Sequence, residues 1–376
     1  MANGPVTLAG PPNAVNGDRY PIEAEPVTTA VGGATLCAML RLFKVSPLLG
    51  LLAAGCAPAD PLPGSEGVGE DFAEPTPGHE ALPWAFVLND PPVEGSERPD
   101  PAEIVSVPGS ELRLRRSDIA IGNGPPDWHP EAHPPMPEVV ARGGSDGVMA
   151  CGYCHLPNGQ GKPENAGLAG QPLEYLLQQM ADYRAGRRRT GEPRMVPPSL
   201  MMSIGAAASP DEARAAAEYF SSLDFQPWIR VVETDSVPVT RFRGSIHEPI
   251  EGAGREPIGT RVVETPEDLA RTKLRDDASS FVAYVPIGSI ARGQRLVTEG
   301  RAGGIPCTLC HGVDLRGLGS MPALAGRSPS YLARQLYDLE TGNRRGVWSS
   351  LMTDAVSGIT RREIVDIVAY LASLEP

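Results

Sequence analysis

The chain carries two copies of one pentapeptide, Cys151-Gly-Tyr-Cys154-His155 and Cys307-Thr-Leu-Cys310-His311. Two thiols three residues apart on a helical turn can each add to a vinyl group of a haem. The histidine that follows then lies under the iron as an axial ligand. Two rival chemistries use the same cysteine pair. Half of a zinc site needs a second ligand pair and has no use for a trailing histidine in each copy. A redox dithiol also works without one. The residues therefore predict two covalently bound haem c groups, attached through Cys151, Cys154, Cys307 and Cys310, with His155 and His311 on the irons.

Both pentapeptides lie in a long internal repeat. At an offset of 156, His155 matches His311, Leu168-Ala-Gly170 matches Leu324-Ala-Gly326, Tyr175 matches Tyr331 and Gln179 matches Gln335. Asp182 and Gly186 match Asp338 and Gly342 in the same register. The second copy then loses five residues, and Ser199-Leu-Met201 aligns with Ser350-Leu-Met352 and Tyr219 with Tyr370. A duplicated haem domain is the simplest reading.

An iron that only carries electrons favours six ligands, so that its geometry barely changes on reduction. A thioether opposite histidine favours the ferrous state and raises the potential. The repeat selects Met201 and Met352 for this place. Met202 and Met195 are rivals in the first copy, whereas Met352 has no near neighbour of its kind. A ligating histidine usually donates its second ring nitrogen to a carbonyl, which Pro322 can offer in the second copy and Ala166 in the first. Arg188 and Arg344 are equivalent and suit haem propionates or solvent. Tyr175 and Tyr331 are expected to pack on haem or on the other half, with plain core packing as the alternative. His79, His129, His133 and His247 lie in Pro- or Gly-rich stretches and are expected to be solvent-exposed rather than ligands.

The elements around these residues follow from pattern. Ser209-Pro-Asp-Glu212 and Thr360-Arg-Arg-Glu363 are capping boxes that open the last helix of each copy. Ile364, Ile367, Val368 and Leu371 form the apolar stripe of the second. The two haem domains are expected at 136–224 and 288–376. Between them, 225–287 holds Ile229-Arg-Val-Val-Glu-Thr and Arg261-Val-Val-Glu-Thr, β-rich runs that predict a small β-containing insert. The fold class is mainly α, with that insert and a Pro-rich N-terminal extension at 57–135. The end of the extension, Pro125 to Pro135, cannot be helical.

The net charge of the 376 residues is −13, and −10 of it falls between Ala59 and Glu103, where eleven acids meet one base. Such a stretch reads as a solvated tether. Phosphate would repel it, so no nucleic-acid partner is expected. Residues 1–56 read as a leader. Basic residues after Met39, the apolar run Val45 to Ala54 and small residues before Cys56 resemble a lipoprotein signal, with translation starting at Met39. The run is too short to span a bilayer. Cys56 is then a lipid anchor, and the mature chain sits on the periplasmic side of a Gram-negative bacterium. The competing reading is an ordinary leader with a chance cysteine.

Taken together, the two C-x-x-C-H sites, the two downstream methionines and the two tyrosine-bearing last helices resemble tandem dihaem class I cytochromes c. Tyr331-Leu-Ala-Arg-Gln-Leu and Ile364 to Leu371 are similar to that family's segments. The resemblance covers roughly half the chain, and the extension and insert depart from the compact family pattern. It implies two fused helical domains, each with a His/Met haem. It also implies a respiratory-chain shuttle between a dehydrogenase or quinol-oxidising complex and a terminal oxidase or other acceptor, without catalysis of its own. The alternative is a dihaem enzyme. A peroxidase needs an iron that can lose its sixth ligand, against which the methionine in each half counts. A thiosulfate dehydrogenase often uses a cysteine ligand, and no cysteine follows residue 56 outside the two motifs.

Overall fold

The structure is a computed structural model in which residues 82–91, 99–145, 147–301 and 303–376 are described. The leader, Cys56, His79 and most of the acidic stretch lie outside the described residues. After a two-residue antiparallel pair, β1 (Ile104–Val105) with β2 (Leu114–Arg115), the first repeat supplies five helices. They are α1 (Glu138–Ala141), α2 (Cys151–His155), α3 (Leu173–Arg184), α4 (Val196–Ala207) and α5 (Pro210–Ser221). The insert follows as β3 (Ile229–Thr234), β4 (Ser236–Pro238), β5 (Thr240–Arg243), β6 (Ile246–Pro249), β7 (Arg255–Pro257), β8 (Val263–Pro266), α6 (Leu269–Lys273) and β9 (Phe281–Pro286). The second repeat supplies α7 (Ser289–Glu299), α8 (Thr308–His311), α9 (Pro329–Glu340), α10 (Ser349–Val356) and α11 (Arg361–Ala372).

The predicted caps form. Ser209 Oγ accepts from the Glu212 N–H while the Glu212 carboxylate accepts from the Ser209 N–H, and Thr360 and Glu363 repeat the arrangement. Each box satisfies two otherwise orphaned donors at the start of a helix. Behind its box, α11 buries Ile364, Ile367, Val368 and Leu371, as the stripe requires. It crosses α7 so closely that a Cβ on Gly293 would lie 1.9 Å from the Asp366 carbonyl oxygen. Only glycine permits that approach.

Both β-rich runs of the insert are strands. β9 is the centre of a three-stranded sheet, parallel to β3 (Ile229 opposite Phe281) and antiparallel to β8 (Val263 opposite Tyr284). β9 itself was not expected from the pattern. Val262, Ala283 and Val285 sit in the same apolar cluster as α11, so the sheet is packed on the second repeat. Among the described residues, no helix is long and apolar enough to cross a membrane.

Two expectations are corrected. The acidic stretch is not solvated throughout: Leu82, Trp84, Ala85, Phe86 and Val87 are buried, and Phe86 meets the Tyr337 ring edge-on at 5.3 Å. A short apolar run outweighs the charges on either side of it. The described histidines outside the repeats, His129, His133 and His247, are not solvent-exposed either. His247 is 4% exposed and donates from Nε2 to the Trp84 carbonyl, 3.0 Å. His133 bonds Asp127 at 3.0 Å and the Tyr219 hydroxyl at 3.1 Å. His129 bonds Asp276 at 3.0 Å. Partners on the insert and extension, which no local pattern reveals, draw these rings inward.

Candidate haem sites

Each pentapeptide forms a single helical turn that ends at its histidine, α2 in the first copy and α8 in the second. The backbone then reverses sharply. Leu156 takes φ 65°, and its counterpart Gly312 takes φ 86°. Three residues further on the types are exchanged: Gly159 has φ 71° and Leu315 has φ 61°. The turn folds the chain back under the histidine, so that the Gly161 N–H donates to the His155 carbonyl and the Gly317 N–H to that of His311, each at 3.0 Å. The Gly159 carbonyl accepts from Leu168 and Ala169, and the Leu315 carbonyl accepts from Leu324 and Ala325.

This loop brings a carbonyl to each imidazole. His155 Nδ1 donates to Ala166 O and His311 Nδ1 to Pro322 O, both at 2.8 Å. No hydrogen bond engages Nε2 of either ring among the described residues. Burial pushes the His155 pKa down to about 4 and moves that of His311 in the same direction. Each ring is therefore a neutral imidazole whose free Nε2 lone pair suits a metal, held in orientation by the bond at its other nitrogen. All four motif cysteines are free thiols. Burial raises Cys151 to about 12 and Cys307 to about 11, which keeps them protonated and poor in thiolate character. Two free thiols and one oriented neutral imidazole on a single turn fit haem c in each copy.

The methionines divide. Met352 on α10 is half-buried against the apolar cluster that also contains Cys307, Leu324 and Tyr331. Met201 and Met202 on α4 are both half-buried. Met202 lines a cavity of about 30 Å³ with Tyr183, Arg188, Thr190 and Arg334. Met195 is 1% exposed and packs into the cluster of the second repeat, so its side chain is already used in the core.

Arg188, Arg344, Tyr175 and Tyr331 meet at the junction of the two repeats. Arg188 donates to Gln179 of its own half and, at 3.0 and 3.1 Å, to Tyr331 and Gln335 of the other. Arg344 reciprocates, donating to Gln335 and, at 3.1 and 2.9 Å, to Tyr175 and Gln179. A second reciprocal pair escaped the sequence reading. Gln171 donates to Ala323 O and accepts from Ala323 N–H, both at 3.0 Å. Its equivalent, Arg327, donates to Gly167 O and Ala169 O. Each half therefore braces, next to Ala166 or Pro322, the loop that orients the other half's histidine. Comparing the repeats for identical residues could not find this pair, because its two members differ in type.

A family model described as Cytochrome c matches residues 143–224 and 290–375, one match per repeat. Cytochrome c-554(548) of Halomonas halodenitrificans is 39% identical over 70 residues, 18% of this chain and 84% of that protein. Cytochrome c4 of Azotobacter vinelandii is 37% identical over 90 residues, which cover 23% of this chain and 41% of that protein. The thiosulfate dehydrogenase electron acceptor of Stutzerimonas stutzeri is 26% identical over 242 residues, 63% of this chain and 85% of that protein. The cofactors are two covalently bound haem c groups, and the function is electron transfer with redox partners. The chain belongs to the cytochrome c family, as a tandem dihaem class I cytochrome c.

Proposed function

We propose that this cytochrome is an electron shuttle of the bacterial periplasm, reduced by a dehydrogenase or a quinol-oxidising complex and oxidised by a terminal oxidase or other acceptor. Bound haem supplies a one-electron iron couple. In this reading Cys151, Cys154, Cys307 and Cys310 would attach the two groups, and His155 and His311, with Met201 and Met352, would ligate the irons. The observation that carries the proposal is the matched fixing of both imidazoles, 2.8 Å from Ala166 O and Pro322 O. A ring held this way keeps its orientation through a change of oxidation state, so little reorganisation opposes transfer. The dehydrogenase is supported as donor by the name of the Stutzerimonas relative, whose similarity extends over 242 residues. Export through the leader and anchoring at Cys56 complete the proposal.

The test is a redox titration of the two-haem protein followed by stopped-flow mixing. Two one-electron steps and slow reaction with peroxide and thiosulfate are expected. Rapid turnover of peroxide, or of thiosulfate in the oxidised protein, would instead make it a dihaem enzyme. Cys56→Ala should release a soluble, haem-loaded protein, and unchanged membrane association would remove Cys56 as the anchor.

A further inference from the structure

Ahead of the first repeat, the extension meets the turn between α6 and β9. Trp128 is 1% exposed, and its Nε1 donates to Leu274 O at 2.8 Å. Its own carbonyl accepts from Ser110 Oγ at 2.6 Å. Trp128 thus fixes its neighbour His129 against the turn. There His129 Nε2 lies 3.0 Å from Asp276 Oδ1, and one ligand atom each of His129, Asp276 and Asp277 fall within 4.8 Å of one another.

Asp277 is the anomaly. It is 4% exposed, yet neither carboxylate oxygen has a hydrogen-bond partner among the described residues. Asp276 is served by Arg271 at 2.6 Å and by the Ala278 N–H at 3.0 Å. Asp277 receives nothing comparable, for the Asn158 side chain bonds its backbone carbonyl and not its carboxylate. Asp277 is thus a buried carboxylate that no donor among the described residues serves. Burying such a group is unfavourable unless a cation accompanies it. His133, the other nearby ring, is committed to Asp127 and Tyr219.

We propose that His129, Asp276 and Asp277 bind one divalent transition-metal ion of the zinc class. One imidazole and two carboxylates supply borderline nitrogen and hard oxygen donors and offset the ion's two charges. Donors around tetrahedral zinc stand roughly 3.3 Å apart, given bonds of about 2.0–2.2 Å. The His129–Asp276 separation of 3.0 Å already approaches that spacing, and the Asp277 oxygen, within 4.8 Å of both, closes on the ion as it binds. The ion would tie the extension to the insert beside the first haem attachment. On the same turn, Arg275 stacks over Tyr153 of the Cys151–Cys154 motif, 3.9 Å from the ring centre.

The experiment uses the two-haem, full-length protein, stripped with a chelator and dialysed against zinc. Elemental analysis should find one zinc per chain beside two irons. Zinc should be lost in His129→Gln and in Asp277→Asn, each still carrying two haems. X-ray absorption at the zinc edge of the wild type should give one imidazole nitrogen with oxygens at about 2.0–2.2 Å. Zinc-free wild type overturns the proposal. So does zinc retained in both variants, because the acidic N-terminal stretch would then be holding it. A zinc shell containing sulfur or two or more imidazoles overturns it as well, even if neither variant folds.

Discussion

Arg188 and Arg344 occupy the same position in the two repeats, form an antiparallel backbone bridge with each other, and each send a guanidinium into the opposite half. Arg188 reaches Tyr331 and Gln335, and Arg344 reaches Tyr175 and Gln179. The clasp is two-fold in plan, and no acidic side chain accepts a hydrogen bond from either guanidinium among the described residues. Tyrosine and glutamine oxygens accept all six bonds.

Truncating either arginine should therefore be costly. Arg188→Ala takes the arginine donor from the half-buried Tyr331 hydroxyl, while Gln179 and Gln335 keep Arg344, and it removes the buried guanidinium's packing, at about 1–3 kcal/mol for a polar group that water cannot reach. Urea unfolding should register a loss of about 2–4 kcal/mol. The double variant Arg188→Ala/Arg344→Ala should lose more than the sum of the singles, because Gln179 and Gln335 each keep one arginine donor in either single variant and lose both in the double. Strict additivity would mean that the two arginines act separately.

The paired left-handed turns make a second prediction. Gly159 has φ 71°, and a Cβ there would lie 3.0 Å from Ala169 and 3.1 Å from Phe220. Gly358 has φ 65° and open space. Both Gly→Ala changes incur the left-handed backbone cost of about 1–2 kcal/mol, and Gly159→Ala adds a tight contact. Thermal unfolding should rank Gly159→Ala as the less stable of the two. The reverse ranking would mean that the loop beneath His155 yields easily.

Much of this architecture is legible in the chain. The pentapeptides, the offset of the repeat and the two capping boxes are local or periodic signals, and they locate both imidazole turns and both last helices. The left-handed conformations of Leu156 and Leu315 are not legible, since leucine gives no turn signal and closure of the loop imposes the angle. The burial of His247 and of Leu82 to Val87 is equally hidden. Each depends on a partner more than 150 positions away in the chain, and composition near the residue points the other way. The β-rich runs of the insert could be recognised, but not that Phe281–Pro286 would pair with both of them.

Glu264 links stability to pH. It is fully buried on β8, accepts from Ser328 Oγ at 2.8 Å and more weakly from the Ser330 N–H, and leaves Oε1 without a partner. Arg334 is the nearby cation, but it is committed to the carbonyls of Ala85 and Pro163. Burial raises the Glu264 pKa from its ordinary 4.5 to about 7. The folded state therefore binds this proton more tightly than the unfolded state does. Its stabilising contribution is complete below about pH 4.5 and is lost as pH rises through 7. The swing is on the order of 3 kcal/mol. Glu264→Gln keeps the acceptor for Ser328 and cannot ionise. The variant should flatten the fall in melting temperature between pH 5 and 8 and gain on wild type at pH 8. An unchanged slope would assign the pH dependence to another buried acid, such as Asp338.

The proposed methionine ligands make the last prediction. Met352→His should exchange a thioether for an imidazole at the second haem, favour the ferric state and lower one potential. The drop should be at least about a tenth of the roughly 0.8 V over which axial ligands tune haem. Met201→His should do the same at the first haem. The two shifts should be separable in one redox titration, because the substituted residues lie on different helices in different repeats. Met195 provides the internal control. It is buried in the core cluster, so Met195→Leu should change melting temperature slightly and leave both potentials in place. Met202 is the sharper rival, since it sits beside Met201 and lines a small cavity with Arg188. If Met202→His moves a potential and Met201→His does not, the ligand is one residue further along α4. Haem attachment at Cys151 and Cys154 would stand, but the repeat would no longer be symmetric at its sixth ligand.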